Sequence, residues 1–133
     1  MRLLTFKKNG ATAIGVVEQD GSSVIDLSIA VPELPKDMNS LIDLWDEGRE
    51  KAKAACENAS DEARLQLADL DVVAPIPNPR RNVMCVGRNY HEHAQEFHDS
   101  GFDATAGATA IPDDPIIFTK ATTSVSGPTD PIP

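Results

Sequence analysis

Pro75-Ile76-Pro77-Asn78-Pro79 decides how this chain divides. Three prolines at alternate positions lack the backbone N–H that a helix interior or a central strand requires. The stretch predicts an extended, semi-rigid connection over residues 75–80. It separates a small N-terminal domain, residues 1–74, from a second domain that begins at residue 81 and runs to 133.

On the N-terminal side, Leu3 to Phe6, Ala13 to Val17 and Val24 to Leu27 are short apolar runs. Asn9-Gly10 and Asp20-Gly21 stand between them, and such dipeptides favour hairpin turns with positive φ. The pattern predicts a three-stranded meander. Residues 31–36 carry Pro32 and Pro35 and form a connection. A helix follows, capped by Asn39 or Ser40, with Leu41, Ile42, Leu44 and Trp45 inside and Gly48 as its stop. Lys51 to Glu57 and Ser60 to Leu67 read as further helix, with Asp61 and Glu62 at the positive end of its dipole. Asp71 to Ala74 reads as a strand.

On the other side, Asn82-Val83-Met84-Cys85-Val86-Gly87 reads as a buried strand. Arg88-Asn89 turns the chain, and Tyr90 to Ser100 reads as a short helix closed by Gly101. Residues 103–114 form a loop, and Pro115 to Lys120 a second strand. The tail from Ser124 to Pro133 has no stop of its own and reads as a chain cut in mid-fold.

Composition narrows the function classes. The 133 residues are 41% hydrophobic but only 5% aromatic, so the core leans on Leu, Ile, Val and Ala. Net charge is −9, from 21 acidic against 12 basic residues. That balance argues against nucleic acid and against an anionic membrane surface as partners. Cys56 and Cys85 form no CxxC or Cys/His zinc pattern and read as buried free thiols of a reducing compartment. No apolar run suits a signal peptide or a bilayer span, so the expected location is the cytoplasm.

The chemistry concentrates in Gly87-Arg88-Asn89-Tyr90-His91-Glu92-His93-Ala94-Gln95-Glu96-Phe97-His98, which holds all three histidines. At about 100° per residue, Tyr90, Ala94 and Phe97 share an apolar face, with His93 at its edge. Glu96 lies three residues on, within reach of His93. His91 and His98 point to another side and read as solvated, so a metal site built from those two is the weaker reading. A carboxylate beside an imidazole orients the ring and raises its pKa, which suits proton transfer. The spacing alone fits an ordinary contact on a helix surface better, because such pairs are common.

Cys85-Val86-Gly87-Arg88-Asn89-Tyr90, then His93 and Glu96, then Pro115-Ile116-Ile117-Phe118-Thr119-Lys120 and Gly127-Pro128, resembles the opening of the fumarylacetoacetate hydrolase catalytic domain. Residues 1–74 look like the small domain that precedes it in many bacterial members. The resemblance implies an α+β chain: a small N-terminal α+β domain, then the start of a mixed β-roll. It implies a hydrolase, lyase or isomerase acting on diketo or oxo acids such as acylpyruvates, with Mg2+ (or Mn2+ or Ca2+) as cofactor. By resemblance, His93 and Glu96 activate water on a lid helix that the segment 101–114 continues. Arg88 and Lys120 are candidate contacts for an acidic substrate, each equally readable as structural. The family's metal carboxylates and its lysine lie downstream of the matched segment. Asp99, Asp103, Asp113, Asp114 and Asp130 do not form its Glu-x-Glu pattern. No metal ligand is therefore assigned in this chain, and the ion is expected beyond Pro133. The chain is expected to be an incomplete part of an enzyme that is a homodimer when full length, and to be inactive alone. The alternative is a non-catalytic acidic interaction or regulatory module.

Overall fold

The computed structural model describes residues 1–101 and 114–131. The described residues fall into two compact units: Met1–Arg80 with Val125–Pro133, and Arg81–Ser124.

In the first unit, β1 (Arg2–Lys8), β2 (Ala11–Val17) and β3 (Ser23–Asp26) form the expected meander. Asn9 (φ 51°) and Gly10 (φ 78°) both take left-handed backbone. A two-residue hairpin turn of this hand requires that, and Asn-Gly is a favoured way to supply it. Period-two alternation then sorts the side chains. Leu4, Phe6, Ala13 and Val24 pack in one cluster, while Ile14 and Val16 pack in the other with Leu27, Leu34, Met38 and Leu41.

The sheet is wider than the meander. β4 (Arg64–Gln66) and β5 (Val72–Val73) complete the antiparallel order β4-β3-β2-β1-β5. Here the helix expected over 60–67 is corrected. Asp61–Ala63 makes one 3-10 turn and Arg64–Gln66 is a strand, with Ser23, Val24 and Ile25 opposite Gln66, Leu65 and Arg64. The open edge of β3 outweighs a local helical preference, because each ladder bond satisfies a backbone group that water would otherwise have to serve.

Three short helices follow the same local rules. β3 ends at Asp26, whose side chain caps α1 (Leu27–Ala30), so Leu27 opens a helix rather than closing a strand. Asp37, not Asn39 or Ser40, caps α2 (Met38–Asp43) by accepting from the Ser40 N–H at 3.0 Å. Gly48 does not stop the helix. The break falls at Trp45 (φ 41°), and Gly48 lies buried inside α3 (Trp45–Asn58). A Cβ on Gly48 would sit 3.0 Å from Leu41 Cδ1 and 3.1 Å from Leu41 O, so only glycine lets the two helices approach this closely.

The proline stretch is not a free spacer. Thr5 Oγ1 donates to Pro75 O at 2.7 Å, Asn39 Nδ2 donates to Asn78 O at 2.9 Å, and Ile76 packs against the helix-side cluster. Arg80 closes the strap with two bonds to the Asp43 carboxylate, 2.9 and 2.6 Å long. Farther on, the chain returns to this unit. A Cβ on Gly127 would lie 3.2 Å from Val73 Cα and 3.3 Å from Ala74 N.

The second unit holds β6 (Val83–Gly87), α4 (His91–Asp99) and β7 (Ile116–Lys120). β6 and β7 pair antiparallel, with Cys85 opposite Phe118 and Val86 opposite Ile117. The burial expected of β6 is corrected in this chain: Met84 is 68% exposed, Val86 55% and Ile117 62%. A two-stranded ribbon with apolar residues on both faces has too few neighbours to cover them. The architecture as a whole is mixed α and β on antiparallel sheets. The described part of this unit shows one antiparallel pair, and the wider β-roll remains an expectation. Among the described residues no helix is long and apolar enough to cross a membrane.

Candidate active site

The turn from β6 into α4 positions the candidate residues. Arg88 takes left-handed backbone (φ 51°), a conformation that costs a non-glycine residue about 1–2 kcal/mol. The chain thereby reverses at the end of β6, and Tyr90, in extended backbone, precedes the first helical turn. The Ala94 N–H donates to Tyr90 O at 2.9 Å, but no side chain caps this end. At the other end the Ser100 N–H donates to Glu96 O at 3.0 Å, and Gly101 (φ 74°) takes the left-handed position that releases the chain.

Of the apolar face expected on α4, only Ala94 is buried, at 1% exposure. Tyr90 and Phe97 stay exposed. His93 and Glu96, one helical turn apart, are both open to solvent. No hydrogen bond or ion pair joins them among the described residues, and none joins either to Lys120. Helical spacing brings the two into one neighbourhood, while their exposure leaves the rotamers free to open the contact. His91 is exposed as expected. His98, expected in solvent, is half-buried with its Nδ1 shielded.

Arg88 is half-buried rather than displayed, and its guanidinium carbon lies 5.0 Å from the centroid of the Phe97 ring. That is cation–π range. Sequence reasoning missed the contact; the hint was an arginine after glycine, in a turn where glycine or asparagine would be the easy choice. Lys120 is exposed at the end of β7, opposite Val83. The segment 101–114, expected to continue a lid, falls mostly outside the described residues.

Other chemistry has little support. Among the described residues no group of three His, Cys, Asp or Glu side chains could hold a metal ion. Cys56 and Cys85 are both free and half-buried. Burial pushes the Cys56 thiol up, with the Glu18 carboxylate adding to it, which leaves it a poor nucleophile.

Residues 82–133 match the family model described as Fumarylacetoacetate (FAA) hydrolase C-terminal. The chain is 33% identical over 134 residues to a mitochondrial oxaloacetate tautomerase of Xenopus laevis, across 99% of this chain and 38% of that protein. It is 29% identical to a mitochondrial oxaloacetate tautomerase of Homo sapiens, again across 99% of this chain and 38% of the relative. Among solved structures it is similar to the fumarylacetoacetate hydrolase of the psychrophile Exiguobacterium antarcticum, with a TM-score of 0.58 and 28% identity. That likeness covers 97% of this chain and 38% of the other. The chain thus spans well under half the length of these relatives, whose names are those of tautomerases and a hydrolase. Through the segment 82–133 that carries the turn, the helix and the ribbon, the chain matches the fumarylacetoacetate hydrolase family.

Proposed function

We propose that the protein bearing this chain moves protons on oxo or diketo acids, either interconverting keto and enol forms or cleaving the carbon–carbon bond between two carbonyls, and that His93 with Glu96 is its acid–base pair. The observation that carries the reading is α4 itself. It holds an imidazole and a carboxylate one turn apart, both accessible, inside the segment that matches the family.

The two reactions share one need. The carbon between two carbonyl groups must lose or regain a proton, and in cleavage a water must also be deprotonated. His93 takes that proton at a ring nitrogen and returns it to carbon. Glu96 holds the ring in the useful orientation and offsets its positive charge. Catalytic hydrogen bonds are often long or absent without substrate and tighten in the complex, so the open pair suits this role. The divalent ion implied by the resemblance finds no fitting ligand group among the described residues, and no step is routed through it.

The test follows the ultraviolet absorbance of enol-oxaloacetate and of acylpyruvates with the protein expressed from its own gene. Turnover of at least one of these, lost on His93→Ala, is the expected result. Turnover unchanged by His93→Ala, or none on any diketo or oxo acid, contradicts the reading.

A further inference from the structure

We propose that Arg88 is a positioning residue, whose guanidinium holds α4 through the ring of Phe97 and so sets the placement of His93 and Glu96. The consequence for proton transfer rests on the function proposed above; the clamp itself does not.

Three observations converge on it. First, α4 needs an anchor. It has nine residues, no side-chain cap at its start, and a single buried side chain, Ala94. A helix this short is marginal by itself, because nucleation costs more than so few bonds return. Second, Arg88 stands where its side chain must have a use. Its backbone is left-handed, glycine and asparagine bear that conformation most easily, and both types flank it as Gly87 and Asn89. Third, the side chain turns toward the helix: the guanidinium carbon is 5.0 Å from the Phe97 ring centroid. Phe97 follows Glu96 directly and lies four residues after His93, so a hold on its ring is a hold on the turn that bears both groups. The contact joins the end of β6 to the far half of α4.

Amide exchange on the chain tests the clamp without any need for catalysis. Arg88→Gly relieves the backbone strain and deletes the guanidinium; Phe97→Leu keeps an apolar side chain and deletes the ring. Each is expected to speed exchange at residues 94–97 by about two- to fivefold, the worth of an exposed cation–π contact, with the double variant no faster than either. Phe97→Tyr, which keeps a ring, should restore the slow rate. Unchanged or slower exchange in Arg88→Gly, which loses the guanidinium along with the strain, overturns the proposal. Kinetics on the protein from its own gene then separate positioning from substrate contact. Arg88→Gly should lower kcat and leave KM in place, whereas a raised KM with kcat intact assigns Arg88 to the substrate and overturns the proposal. Because exchange is read independently of turnover, the clamp can hold even if the acid–base role of His93 fails.

Discussion

Asp26 buries its carboxylate completely and satisfies it with the Lys8 ammonium, the Ser28 N–H and the Ser28 hydroxyl. One residue thus ends β3, starts α1 and fixes a lysine eighteen residues back in the chain. Lys8 is a third exposed, so water can serve the charge left when Asp26 is removed, and the loss falls on the hydrogen bonds of a charged group and on the helix cap, about 1.5–3 kcal/mol. Asp26→Ala should therefore lose stability of that order in urea unfolding, and Asp26→Asn less, since an amide oxygen still caps Ser28. A loss under about 1 kcal/mol for Asp26→Ala would show that the pair is not what holds this corner. None of this is visible in Val24-Ile25-Asp26-Leu27, because the lysine arrives from β1, two strands away. That His93 and Glu96 lie one turn apart is legible for the opposite reason: three residues apart on a helix is a local relation. The burial of His98 and the stacking of Arg88 on Phe97 depend on tertiary contacts, which helical periodicity does not encode.

Elements divide the same way. The Asn9-Gly10 hairpin is readable because its backbone requirement is met by the two residues themselves. The stretch Ser60–Leu67 reads as helix only because its true partner, the edge of β3, lies some forty residues away. Gly48 has the local look of a helix stop, but its role is space. Gly48→Ala gains about 1 kcal/mol of helix propensity but forces a methyl against Leu41 and Leu44, and overpacking of this kind costs about 1–3 kcal/mol. The melting temperature should fall, by up to about 10 °C for the larger cost. A rise would mean that the α2–α3 junction gives way easily. The strap over 75–80 carries a pH dependence. Hydrogen bonding from Arg80 holds the Asp43 carboxyl below its ordinary value of 3.8, and bonding from Ser40 does the same for Asp37. A depressed carboxyl stabilises the folded form fully above its ordinary value and loses that contribution as pH falls through the lowered one. Amide exchange in 76–80, corrected for the intrinsic pH effect, should quicken below about pH 4, the ordinary carboxylate range. Asp43→Asn should remove most of that change, and an unaltered profile would show that the ion pair does not latch the strap.

At the scale of the whole molecule, the prolines mark where the chain changes character, but not that they dock on what precedes them. The clasps from Thr5, Asn39 and Asp43 are single side chains far away in sequence, and the return of the chain near Gly127 to Val73 has no local signature. The compact unit Met1–Arg80 with Val125–Pro133 predicts that brief trypsin treatment cuts after exposed Arg81 before it cuts at Lys7 or Lys8 inside β1. Early cleavage in β1 would contradict that organisation. The proposed chemistry stands on α4 and its two open side chains, and a double-mutant cycle on the protein from its own gene tests it most directly. His93→Ala should lower kcat on oxaloacetate or an acylpyruvate by about 10²- to 10⁴-fold, the range of general acid–base catalysis. Glu96→Gln should lower it less. The double variant should be scarcely worse than His93→Ala, because the two act as one unit. Independent, additive losses, or a His93→Ala enzyme that turns over as fast as its parent, would contradict that chemistry.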